Sequence, residues 1–298
     1  MKDHEPTVRS RELGLAILRA AQARGLSGRE LGRLLQWSDS KVSRLYSGKR
    51  GASPADVAAI LAICGIKSPK RDELVKLAHR ANERGWWQEY GDRLPPELTT
   101  LTNYEDAAIT VVNYENVLVP GLLQTAEYTR AILQSIPTIP ASELDERMGV
   151  RILRRQALDR QPPAAFRFFI DEMALTRKGP GREIMSEQVH HLLRLSVRSN
   201  IEIRIISDSA GIHAGHMPFK LMGFSELSPV VHIECPTSVL FLERKDTIAG
   251  YRRTVANLDN VALDEQRSRA WLADLAKQLG AREDHDEYAS ALEEDFPK

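Results

Sequence analysis

Between residues 39 and 44 the chain places Asp39, Ser40, Lys41, Ser43 and Arg44 around the apolar Val42, with Leu45 following. If this stretch is a helix, Val42 and Leu45 turn inward and the polar five stay outside. Short hydroxyls and long cations on a narrow helix are the groups that hydrogen-bond base edges in a major groove. Arg44 suits a bidentate contact to guanine and is the lead candidate for sequence discrimination, whereas serine serves several bases. Asp39 has two readings: it accepts from a cytosine amino group, or it favours its own helix N-terminus. Phosphates need positive charge and exposed donors at the flanks. Ser27, Arg29, Ser38, Lys49 and Arg50 supply these, and the amides at two helix starts add a dipole contribution.

The elements that must position this set are short helices over residues 7–80. Leu13, Ile17, Leu18 and Ala21 recur at helical spacing until Gly25. Ser27 with Glu30 three residues later has capping-box spacing, and Leu31, Leu34 and Leu35 give the apolar face of a helix over 27–35. Ser38 opens a helix over about 39–46, which Ser47-Gly48-Lys49 ends. Ser53-Pro54 and Ser68-Pro69 each place an N-cap before a proline and predict a fourth and a fifth helix. Two short helices joined by Gln36-Trp37-Ser38 have helix-turn-helix spacing. The competing reading is a small helical bundle with a solvated basic face.

Charge favours the helix-turn-helix over the plain bundle, and the resemblance given below decides for it. Over 298 residues, 41 basic and 41 acidic side chains cancel. Residues 1–80 nevertheless hold 16 bases and eight acids, net +8, which leaves −8 on the remainder. An anionic partner is therefore expected for the first part alone. The length suggests about two domains, and 42% hydrophobic residues suffice for a core. Cys64 and Cys235 are too few and too distant for a disulfide framework. Residues 1–11 contain no apolar stretch and no apolar run approaches a membrane span, so a cytoplasmic protein is expected, with no membrane association.

The match of Gly25-Leu26-Ser27-Gly28-Arg29-Glu30-Leu31, Trp37 through Leu45, and Ser47-Gly48-Lys49-Arg50 resembles the XRE-type, Cro/repressor-like family over roughly 60 residues. The resemblance implies a five-helix domain whose third helix reads the major groove of double-stranded DNA. Gln36 stands where that family usually has glycine, and Tyr46 where an acidic residue is common. Gln36 must then adopt the turn conformation without glycine's freedom.

Beyond a connector at 85–100 that carries Trp86, Trp87 and Tyr90, strands are expected at 107–114, 166–170, 201–206, 219–224, 230–234 and 238–242. Helices are expected at 122–135, 142–160, 182–198, 247–258 and 264–279. The fold class is an all-α five-helix domain over 1–84, a larger α+β domain over 101–280 and an acidic tail over 281–298. Trp86-Trp87, Tyr114-Glu115, Leu118 through Thr125, Tyr128, Asp171-Glu172, Ala174-Leu175, Ser209-Ala210-Gly211, His213, Pro218-Phe219 and Tyr251-Arg252 resemble the C-terminal domain of actinobacterial, WhiJ-like, antitoxin-like regulators. This implies a transcriptional regulator, often linked with a small partner protein, and supplies no agreed ligand.

No nucleophile elbow, P-loop or dinucleotide-binding glycine pattern occurs, so no enzyme and no cofactor are expected. His213, His216, His232 and Cys235 include metal-ligand types, but their spacing is incomplete for zinc, and loop histidines beside a strand end are the plainer reading. Asp171-Glu172 reads as a solvated strand end, because adjacent side chains diverge. Arg147, Arg151, Arg154, Arg155 and Arg160 read as a solvated face set against Glu143, Asp145, Glu146 and Asp159. One helix pair reads few base pairs, so a homodimer is expected; the second domain would dimerise, sense a small-molecule effector or capture a small protein.

Overall fold

The computed structural model describes residues 7–49, 52–82, 96–137, 139–177, 179–235 and 238–294. Two compact units emerge, Met1–Ile109 with Gly223–Pro229, and Thr110–Met222 with Val230–Lys298.

In the first unit, α1 (Val8–Ala23), α2 (Gly28–Leu35), α3 (Asp39–Tyr46), α4 (Pro54–Ile63) and α5 (Lys70–Asn82) enclose a core of Leu13, Ile17, Leu31, Leu45, Val57, Ile60, Leu61 and Leu74. The side-chain oxygens of Thr7, Ser27, Ser38 and Ser53 accept the amides of Ser10, Glu30, Lys41 and Asp56, so that each of the first four helices starts where a hydroxyl can satisfy an orphan N–H. The Ser68-Pro69 device differs from expectation: α5 begins at Lys70, and Ser68 instead donates its hydroxyl to Asp72 Oδ2 at 2.8 Å. Close approach of α1 to the end of α3 rests on Gly14, where a Cβ would lie 2.6 Å from the Tyr46 carbonyl oxygen.

Two parts of this unit carry no advance sign in the sequence. Pro96–Ala107 forms a helix, α6. The segment Gly223–Pro229 also belongs here: one oxygen of Glu12, a residue 3% exposed, accepts the Ser225 amide at 2.9 Å, the Ser225 hydroxyl at 2.7 Å and the Glu226 amide at 3.1 Å. The Glu226 carboxylate in turn meets Arg19 at 3.0 Å and Lys70 at 2.8 Å.

The second unit is built on β1 (Thr110–Glu115), β2 (Ala165–Asp171), β3 (Ile201–Ile206), β4 (Phe219–Gly223), β5 (Val230–Cys235) and β6 (Ser238–Leu242). They form a single sheet in the order β3-β2-β1-β4-β5-β6. β1, β2 and β3 are parallel, whereas β4, β5 and β6 pair antiparallel. The helices α7 (Ala126–Gln134), α8 (Leu144–Arg154), α9 (Met173–Thr176), α10 (Arg182–Leu195), α11 (Lys245–Val261) and α12 (Glu265–Glu294) complete the unit. An α-helical domain followed by a mixed α+β unit is the architecture expected. α12 runs on to Glu294, through part of the segment read as an acidic tail.

Strand alternation assigns the faces. Val112, Tyr114, Phe169, Phe219, Leu221, Val231 and Ile233 pack with Ile248 and Leu258 of α11. Their neighbours Asn113, Glu115, Lys220, His232 and Glu234 therefore belong to the opposite face. On the α11 side Arg204 closes the helix end: its guanidinium donates to the carbonyls of Asp259, Ala262 and Leu263 at 2.7–2.9 Å. The Asp259 carboxylate holds both Arg204 and Arg167 at 3.0–3.1 Å.

Candidate nucleic-acid interface

The turn between α2 and α3 orients the outward face. α2 ends with the amide of Gln36 donating to Arg33 O and that of Trp37 to Gly32 O, a Schellman closure that requires a left-handed residue. Gln36 takes it, at φ 57° and ψ 38°, and is the one non-glycine residue with positive φ among those described. The backbone geometry expected of a glycine is thus retained by a residue that gains no ease from it. At the other end of α2 the full capping box forms: Glu30 Oε2 accepts the Ser27 amide at 2.8 Å while Ser27 Oγ accepts the Glu30 amide at 3.2 Å. The Ser27 hydroxyl and amide hold the Glu30 carboxyl below its ordinary value.

On α3, Val42 and Leu45 are buried while Asp39, Ser40, Ser43 and Arg44 are exposed and Lys41 is half-buried. Ser27, Arg29, Ser38 and Lys49 are exposed as well; Arg50 lies outside the described residues. These side chains engage one another. Arg44 Nε donates to Ser40 O at 3.2 Å, one turn back along the same face. Lys41 Nζ sits 3.3 Å above the Trp37 ring centroid, a cation–π contact that ties α3 to the turn before it. Arg29 approaches Asp39 at 3.5 Å with both side chains largely in solvent, so this bridge costs little to open. Ser38 Oγ both caps α3 and lies 3.1 Å from Ser40 Oγ. An open cleft of about 490 Å³ runs between the start of α2 and α3, lined by Gly28, Arg29, Asp39, Val42, Ser43, Tyr46 and Ser47. Tyr46 lies against Gly28, where a Cβ would come within 3.3 Å of its ring.

In the second unit the motif residues around 118–128 serve the fold. Gln124 donates to Val119 O at 2.7 Å, the Tyr128 hydroxyl accepts the Val119 amide, and Thr125 caps α7. Buried Gln188 clasps the same loop through Thr125 N and Leu123 O.

At the carboxyl ends of β1 and β2 another group converges. His213 Nε2 lies 3.6 Å from Asp171 Oδ2, His213 Nδ1 accepts the Gly215 amide at 3.1 Å, and the Tyr114 hydroxyl donates to Gly215 O at 2.9 Å. Burial, with Asp171 beside it, raises the Tyr114 hydroxyl well above the ordinary tyrosine value, so it remains a donor. Asp171 and Glu172 diverge: Asp171 accepts the Met173 amide, Glu172 that of Asp208. His213 packs against Tyr114 while His232 belongs to the opposite face of the sheet. Among the described residues no three His, Cys, Asp or Glu side chains gather as a metal site.

The arginine run of residues 147–160 departs from a solvated face. Arg147, Arg151, Arg154, Arg155 and Arg160 are all half-buried. Arg147 pairs with Glu143 at 2.9 Å, and Arg155 lies 3.2 Å from His191 Nε2. Burial pushes the His191 imidazole down to about 4, with Arg155 adding to the effect. Trp86, Trp87 and Tyr90 lie outside the described residues. No helix of the described residues is long and apolar enough to cross a membrane.

No curated protein and no solved structure matches the chain. A family model described as a helix-turn-helix domain matches residues 12–74, which contain α2, the Gln36 turn and α3. A second, described as a domain of unknown function (DUF5753), matches residues 98–274, more than half of the chain and nearly all of the sheet unit. The chain therefore belongs to the DUF5753 family, with a helix-turn-helix domain preceding that domain.

Proposed function

We propose that the protein is a cytoplasmic, sequence-specific transcription regulator of the XRE, Cro/repressor-like type, and not an enzyme. The observation that carries this reading is the capped α2–turn–α3 pair presenting Asp39, Ser40, Ser43 and Arg44 to solvent from a matched helix-turn-helix domain. In this reading Lys41 and Arg44 exchange their internal contacts for base edges. Asp39, Ser40 and Ser43 complete the base-facing set, and Ser27, Arg29, Ser38, Lys49 and Arg50 hold phosphates. The regulator works as a homodimer, and the DUF5753 unit supplies dimerisation and effector sensing.

Paired binding titrations on a selected site and on random duplex test the assignment. Arg44→Ala should relax preference at one base position by roughly 1–3 kcal/mol, while Lys49→Ala should weaken all sequences together and lower the salt slope by about one. Equal losses on both duplexes for Arg44→Ala would refute its role.

A second reading, an actinobacterial WhiJ-like, antitoxin-like protein that captures a small partner, draws on the apolar side chains flanking the Asp171–His213 contact. Ile212 is 99% exposed and Met173 is 51% exposed. Co-purification of a stoichiometric small protein, lost on Ile212→Asp, would favour it.

A further inference from the structure

Trp37 closes the turn between α2 and α3. Its amide donates to Gly32 O at 2.7 Å directly after the left-handed Gln36, and its half-buried side chain packs against the core of the first unit. One face of the indole is thereby fixed beside the first turn of α3, where Lys41 Nζ lies 3.3 Å from the ring centroid. Lys41 gains nothing at this position as a helix residue, because a cation in a first turn opposes the helix dipole. The other two cations of this face are held differently. Among the described residues Arg44 commits only its Nε, to Ser40 O, and keeps both terminal nitrogens for a base. The bridge from Arg29 to Asp39 stands in solvent. Of the three, Lys41 alone has its charge centre covered by an aromatic face. A cation–π contact over a half-buried tryptophan outweighs a solvent-exposed ion pair with a phosphate, and a bidentate contact to guanine O6 and N7 outweighs both.

We propose that Trp37 is a positioning residue that makes the engagement of Lys41 conditional on sequence. On random duplex a phosphate offers Lys41 less than the indole does, so the ammonium stays on the ring and adds little to non-specific affinity. At a guanine in register the base edge offers more, and Lys41 leaves the ring for it. Without the ring, its flexible four-carbon stem would carry the charge to any phosphate within reach. This role rests on the reading of α3 as the base-reading helix and adds the residue that decides when Lys41 takes part.

Spectra and binding titrations of the full chain, with a selected site and with random duplex, test it. With 13C-labelled lysine, the ε-methylene of Lys41 in the free chain should show an upfield ring-current shift, assigned by its disappearance in Lys41→Met and abolished in Trp37→Leu. That shift should persist on random duplex and vanish on the selected site. Lys41→Met should cost the selected site roughly three- to thirtyfold in affinity and random duplex less than about twofold. Trp37→Leu should raise affinity for random duplex by roughly two- to threefold and steepen its salt dependence by up to about one unit of slope; loss of packing alone would do the opposite. Lys41→Met in the same chain should cancel both changes, and Trp37→Phe, which keeps a ring, should fall between. The lysine spectra and Lys41→Met leave Trp37 in place, so the test stays decisive if Trp37→Leu fails to fold. Absence of the shift in the free chain, its loss on both duplexes alike, or equal losses of affinity on both in Lys41→Met would overturn the proposal. Arg44→Ala reports base recognition by α3 independently of Lys41, so such a failure would leave that reading standing.

Discussion

Gln36 shows how a single residue sets the geometry of the interface. A left-handed conformation costs a residue with a Cβ roughly 1–2 kcal/mol, and glycine avoids that steric cost while losing more backbone entropy. Gln36→Gly should therefore raise the stability of the first unit by up to about 1 kcal/mol in thermal unfolding, with DNA affinity retained. A lower melting temperature would contradict the turn described here. Glu115 gives a pH signature of the second unit. Its ordinary value is 4.5 and burial raises it to about 7, so within that window the folded chain holds a proton that the unfolded chain has released. Stability should fall as pH rises from about 4.5 to 7 and level off above, and Glu115→Gln should flatten that slope in denaturant titrations across this range.

At the scale of elements, helix starts in the first unit are local devices. Ser27, Ser38 and Ser53 cap the helices at which their spacing placed them, because an N-cap needs only its own hydroxyl and the amide three residues on. Ser27→Ala should cost about 1 kcal/mol in urea unfolding. The Glu30 half of the box contributes above that carboxyl's ordinary value and is lost as pH falls through its lowered one. Strands 201–206 and 238–242 were equally readable from their β-branched and apolar runs. What the sequence concealed depends on distant partners. The polar stretch of α6 has no strong apolar periodicity, and Ser225 and Glu226 reveal nothing of Glu12, more than two hundred residues away. Trp37 was in view, but its role beneath Lys41 needed the turn geometry of Gln36.

Across the whole molecule, the zero net charge conceals +8 in residues 1–80 and −8 in the remainder. The basic excess belongs to the residues that hold the helix-turn-helix, whereas residues 81–109 and 223–229 of the same unit carry net −5 and the sheet unit net −3. Within the first unit, the Gly223–Pro229 segment makes Glu12 a structural joint. Glu12→Ala would leave the Ser225 and Glu226 amides without their acceptor and should lower the stability of this unit by about 1.5–3 kcal/mol in calorimetry. A dimer would place two copies of α3 on half-sites about 10 base pairs, or a multiple of that, apart. The most direct measurement is selection of bound duplexes from a random pool by the full chain. An enriched two-fold-related motif with that spacing is expected, in which Arg44→Ala loses preference at one position of each half-site; recovery of unselected sequence, or an unchanged motif in the variant, would contradict a dimeric, sequence-reading regulator.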